Sequence, residues 1–159
     1  MSVSPIPSGY HSVTPYLIVD DAAAAIAFYR EAFGATEVLR LPMGDRIGHA
    51  EVKIGDSQVM LSDEWPHMGM LGPVKRGGTS VSLSLYVTDV DLAFARALAA
   101  GAREERPVQN QFYGDRIGTL VDPFGHRWSL ATHIEDVAPE EIQRRMEAMA
   151  AGMGAETTA

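Results

Sequence analysis

Apolar and polar residues alternate in short runs, and the runs recur in the same order twice along the chain. Over residues 12–19, strict alternation places Thr14, Tyr16 and Ile18 on one face and Pro15, Leu17 and Val19 on the other, which predicts a strand. Asp20-Asp21 then offer a helix N-cap, and Ile26, Tyr29 and Phe33 fall on one side of a helix over 22–33 that stops at Gly34. Strands are predicted over 37–41, 46–54 and 58–62, with turns at 42–45 and at Gly55-Asp56. The order returns as a strand over 80–87, with Ser82, Ser84 and Tyr86 opposite Leu83, Leu85 and Val87. Asp89 caps a helix that carries Leu92 and Leu98 and ends at Gly101. Strands follow within 103–108, over 116–121 and over 126–132, the last two joined by the turn Asp122-Pro123-Phe124-Gly125. The chain therefore divides into an extended arm (1–12), a β-α-β-β-β module (13–63), a linker (64–79), a second β-α-β-β-β module (80–133) and a closing segment (134–159). Pro139 opens a helix in that segment that runs to about residue 150, before a frayed tail.

The duplication is also literal. Gly44-Asp45-Arg46-Ile47-Gly48 returns as Gly114-Asp115-Arg116-Ile117-Gly118, and each copy leads into an apolar run, a turn and another apolar run. The pentapeptide reads as a turn and strand start that each module needs once. Used as a ruler, it pairs His49 with Thr119. Tyr16 and Tyr86 fall at matching inward positions of their strands, and Arg46 and Arg116 read as strand-start residues paired with nearby carboxylates.

Composition narrows the class. A chain of 159 residues with 46% apolar content is a single globular domain, long enough to bury roughly 70% of its unfolded surface. It has no cysteine, so neither a disulfide framework nor a thiolate metal site is available. The net charge of −8 argues against nucleic acid, which needs a basic face. The first residues lack a charged n-region and an apolar h-region, and no apolar run approaches the roughly 20 residues of a membrane span, so a cytoplasmic protein without membrane contact is expected.

The strings GYHSVTPYLIVDDAAAAIAFYREAFGA, IGHAEVKIGDSQVMLSDE and NQFYGDRIGTLVDPFGHRWSLATHIEDVAPEEI resemble the vicinal oxygen chelate superfamily, closest to its PhnB-like, glyoxalase/bleomycin resistance-like subgroup. The resemblance covers about residues 8 to 146 and implies an α+β fold. Two tandem β-α-β-β-β modules form a cup-shaped mixed sheet, followed by a C-terminal helix. It also implies a divalent metal in the cup, held from the first and last strands of each module. Carried over, those positions fall on Thr14, Met60 (Val59 in the alternative register), Ser82 and Ser129. Uncharged hydroxyls and a thioether are poor ligands for a hard or borderline divalent ion, so no metal and no other cofactor is expected.

His49 and Glu51, two apart on one strand, share a face and are the candidate acid/base pair, or two ligands of a metal completed from elsewhere. Tyr16, Tyr86, Met60, Ser82, Ser84 and Ser129, with Thr14, would line an amphipathic pocket for a planar ligand. Trp65, Phe112 and Tyr113 could close it, with Met68 and Met70 beside Trp65 in the linker. Trp128, which alternates with Ser129, belongs to the core. His126 reads as a hydrogen-bonding turn residue, and His11, His67 and His133 carry no assigned role. The expected function is metal-free binding of a small aromatic or cationic molecule, as in bleomycin resistance proteins. The alternative is a glyoxalase-like lyase or isomerase using His49 and Glu51, with or without a divalent metal. By analogy with the superfamily, a homodimer is expected.

Overall fold

The structure, a computed structural model, describes residues 3–156. Module one comprises β1 (Tyr16–Val19), α1 (Ala22–Phe33), β2 (Thr36–Met43), β3 (Arg46–Ile54) and β4 (Ser57–Asp63), in the sheet order β1-β4-β3-β2. A 3-10 turn (Pro66–Met68) and a short helix α2 (Pro73–Arg76) lead to module two. It comprises β5 (Ser82–Tyr86), α3 (Val90–Ala99), β6 (Arg103–Asn110), β7 (Asp115–Val121) and β8 (Arg127–His133), in the order β5-β8-β7-β6. Helix α4 (Pro139–Glu156) closes the chain. In each sheet the first strand runs parallel to the last and the remaining pairs are antiparallel, so both sheets are mixed.

The capping signals act as their chemistry requires. Asp21 accepts from Ala24 N at 2.9 Å and Asp89 from Leu92 N at 3.0 Å, each satisfying one free donor of a first helical turn. Several boundaries move. Thr14 precedes β1 and its hydroxyl donates to His11 O at 3.2 Å, so the first strand is shorter than its alternation suggests. Strand β2 runs through Pro42, the expected turn, because β2 is an edge strand and a missing N–H costs little there. The linker carries helical turns, and the last helix extends past 150 to Glu156.

The two modules meet through α1 and α3, and no strand of one sheet pairs with a strand of the other among the described residues. Arg96 Nε donates to Ala32 O at 2.9 Å across this contact. Phe28, Tyr29 and Phe33 of α1 pack against Phe124 and Trp128 of module two, with the Phe33 and Trp128 rings 4.7 Å apart. Asp122 anchors the cluster. Its buried carboxylate accepts from Tyr29 Oη at 2.7 Å and Trp128 Nε1 at 2.9 Å, and from the backbone of Phe124 and His126. Trp128 is therefore core. His126 in the same turn reaches Ile18 O at 2.9 Å, tying module two to β1.

Since the helices cover one face of each sheet, the other faces are left open. Leu17, Val19, Ala50, Val52 and Leu61 point to the helices and are buried, while Tyr16 keeps 44% of its surface exposed.

Candidate functional site

Register determines which side chains meet on the open faces. On module one, Leu39 stands opposite Glu51, Glu51 opposite Met60, and Met60 opposite Tyr16. On module two the matching row is Arg106, Thr119, Ser129 and Ser84. Glu51 is thus the counterpart of Thr119, and Tyr16 the counterpart of Ser84. Two expectations are corrected by this. The repeated pentapeptide is offset by two residues from the structural repeat, so it mispairs His49 with Thr119. Tyr86, opposite Ala131, does not match Tyr16. A shift of two preserves the face of every side chain and changes only its neighbours, which is why alternation could not reveal it.

The pentapeptide copies also do different work. Gly44 sits in an open turn where an added Cβ would meet nothing within 4 Å. At Gly114 the same atom would lie 2.1 Å from Glu135 O, because the chain leaving β8 crosses directly over it. Arg116 pairs with Asp91 at 2.7 Å, as its strand-start position suggested. Arg46 instead donates to Glu64 O at 2.7 Å and lies over the Trp65 ring.

On module one a hydrogen-bonded chain of four side chains forms. Tyr10, from the arm, donates its phenol to Glu51 Oε2, and Glu51 Oε1 lies 3.1 Å from His49 Nε2. His49 Nδ1 in turn lies 3.0 Å from Tyr16 Oη. The bond from Tyr10, reinforced by His49, outweighs burial and holds the Glu51 carboxyl below its ordinary range. An ionised Glu51 only accepts, so His49 donates to it from Nε2. Its own bond to Glu51 pushes the Tyr10 phenol up to about 12. Both His49 nitrogens are engaged by protein partners. Nothing in the sequence of the arm, with its prolines and serines, singled out Tyr10.

On module two Ser129 Oγ lies 3.2 Å from Ser82 Oγ and 3.4 Å from Thr119 Oγ1, a cluster of small hydroxyls. A second cluster lies at the other end of β5. Tyr86 donates to Asp115 Oδ2 at 2.7 Å, and His133 bridges Asp115 Oδ1 at 2.7 Å and Asp136 Oδ1 at 3.0 Å. Burial would raise the Asp115 carboxyl, but the bonds from Tyr86 and His133 hold it below its ordinary range. Asp115 was visible in the sequence only as part of a turn-forming pentapeptide, and His133 as a strand end.

The structure brings Tyr16, His49, Glu51 and Met60 together on one sheet, and Ser82, Ser84 and Ser129 on the other. Thr14 stands off the strand. Trp65 packs on Arg46 and edge-on to His67, away from the role of a pocket lid. Phe112 and Tyr113 pack edge to face on each other, and Tyr113 turns toward Tyr86 and Asp115. Thr14, Met60, Ser82 and Ser129 offer no charged donor, so the residues present do not fit the divalent metal that the superfamily implies. Among the described residues, no group of three or more His, Asp or Glu side chains is placed to hold a metal ion.

A cleft of about 550 Å³ lies between the modules. Pro15 and the hairpin around Gly55 form one wall. Leu83, Ser84, Leu85 and Tyr86 along the unpaired edge of β5 form the other, with Val59 and Trp128 at its base.

The family described as Glyoxalase/Bleomycin resistance protein/Dioxygenase superfamily matches residues 9–130. The protein Mb0911c of Mycobacterium bovis is 44% identical over 145 residues, covering 89% of this chain and 95% of that protein. The crystal structure of TioX from Micromonospora sp. ML1 superposes with a TM-score of 0.60 at 26% identity, covering 80% of this chain and all of that one. The PhnB protein of Bacillus cereus gives a TM-score of 0.60 at 20% identity over 77% of this chain and 99% of its own, a likeness of fold alone.

Proposed function

The chain belongs to the Glyoxalase/Bleomycin resistance protein/Dioxygenase superfamily, and from that membership we propose that it is a metal-free member that sequesters a small aromatic or cationic molecule. The observation that carries the reading is the donor chemistry of the open faces. Leu39, Glu51, Met60 and Tyr16 answer Arg106, Thr119, Ser129 and Ser84, and the one imidazole beside them is bonded at both nitrogens. The inter-module cleft supplies the place. Its walls combine apolar side chains with the polar groups of Asp56, Ser57, Ser84 and Tyr86, which suits a flat ring that gains from leaving water and is oriented by a few polar contacts.

Binding to the native state alone raises the melting temperature, so a thermal-shift screen of planar and cationic small molecules tests the reading. Compounds that stabilise the wild type are expected to lose their effect in Ser84→Trp. That substitution is at an exposed position and fills the cleft without touching the core. Stabilisation that persists in Ser84→Trp, or a screen with no hits, contradicts the cleft.

One observation favours acid/base chemistry as a second reading. Tyr10, Glu51, His49 and Tyr16 form an unbroken hydrogen-bonded path along which a proton could be passed to a bound carbonyl compound. Turnover of a screened ligand that survives chelators and is lost in His49→Ala would favour it over sequestration.

A further inference from the structure

The family match ends at residue 130, yet the chain beyond it is fastened to module two. Ile134 N and Glu135 N both donate to Gly114 O, at 2.9 and 3.0 Å, and Arg145 of α4 bonds Glu135, Glu141 and Phe112 O. The fastened segment borders an open depression of about 530 Å³ at the end of β5 and the start of β7. Two phenols, Tyr86 and Tyr113, and Ile142 of α4 form its walls, and Asp115, His133 and Asp136 supply its charge. Module one has no equivalent, since the position that matches Tyr86 is Ile18.

The charge of this depression is unbalanced. Asp115 is buried and bound by Tyr86 and His133, while Asp136 is fully exposed and, among the described residues, is reached only by the far nitrogen of His133. With a carboxylate at each ring nitrogen, His133 acts as a doubly protonated donor, leaving two carboxylates against one cation. The other charged groups close by do not redress this. Arg145 is shared by Glu135 and Glu141, and Arg116 is taken by Asp91.

We propose that this depression binds a small organic ammonium ion carrying an aromatic group, held by Asp136 and Asp115 between Tyr86 and Tyr113, in exchange for the proton of His133. The N–H donors of the ammonium take the place of the imidazolium donors, and the phenol rings offer their electron-rich faces to the cation. The aromatic group lies on Ile142. The displaced proton leaves His133 for solvent. Asp115 and Asp136 hold that proton above its ordinary pH range, so it competes with the ligand. Because coupling is reciprocal, an ammonium that weakens the His133 proton must itself bind more tightly once that proton is gone. The site shares Tyr86 with the inter-module cleft, but Asp115, His133 and Asp136 line this site and not the cleft, so their substitution separates the two.

Isothermal titration with benzylamine at pH 6 and pH 8, in buffers of different ionisation enthalpy, tests the proposal. Saturable binding is expected, about tenfold tighter at pH 8, with a proton released on binding. Benzyl alcohol, its neutral counterpart, is expected to bind at least tenfold more weakly. Asp136→Asn, at an exposed position where folding is not at stake, should reduce benzylamine affinity by about tenfold, and His133→Asn should flatten the pH dependence. No binding of benzylamine, equal binding of benzyl alcohol, an unchanged affinity in Asp136→Asn or a pH-independent affinity in the wild type would each overturn it.

Discussion

Glu51 is read from both ends of its carboxylate, by a phenol that arrives from the arm and an imidazole on its own strand. That arrangement makes Tyr10 the most informative side chain on module one, since its phenol is raised to about 12 chiefly by its bond to Glu51. Removing the charge while keeping the shape, in Glu51→Gln, should return the Tyr10 titration toward about 10, the ordinary value for tyrosine. Ultraviolet absorbance of the phenolate against pH would show one tyrosine shifting down by about two pH units. An unchanged titration would mean that Tyr10 and Glu51 do not meet in solution. At this scale the sequence disclosed part of the site. The spacing of His49 and Glu51 on an alternating strand predicted a shared face, and they share it. Tyr10 and Asp136 could not be foreseen, because contacts between an irregular segment and a distant strand leave no periodic trace.

Elements were more legible than contacts, for a physical reason. Alternation, the Asp N-caps and the Gly stops act locally, so both helices and the strands of each module could be placed from short windows of sequence. Where a long-range partner sets the limit, the local signal misplaces it. β2 continues through Pro42 because β3 remains beside it, and α2 forms within a linker whose prolines and glycines read as irregular. The doubled pentapeptide is the sharpest case. Identical strings sit in different environments, and a matched pair of substitutions would display the difference. Gly44→Ala places a methyl in open space at φ +66 and should cost about 1 kcal/mol of backbone strain. Gly114→Ala drives the same methyl into Glu135 O and should cost at least about 3 kcal/mol, or release the segment that leads to α4. Urea denaturation would measure the costs, and limited proteolysis after residue 133 would detect the release. Equal, small effects at both glycines would contradict the crossing of the 134–138 segment over Gly114.

On the scale of the whole molecule, duplication has kept a scaffold and let its open faces diverge. One face carries a phenol, a thioether and a bonded His-Glu pair, and the other a set of hydroxyls. The fold was evident from the repeated order of elements, but the pairing across the repeat was not, since a two-residue offset leaves every buried position buried. The central claim is that the protein binds its ligand in the inter-module cleft, and that its open faces hold no metal. The most direct test is elemental analysis of the purified protein, before and after chelation, with His49→Ala alongside. The account predicts well below one equivalent of zinc, nickel, manganese or iron per chain, and the same melting temperature in chelator. One equivalent of any of these metals, lost in His49→Ala, would contradict it.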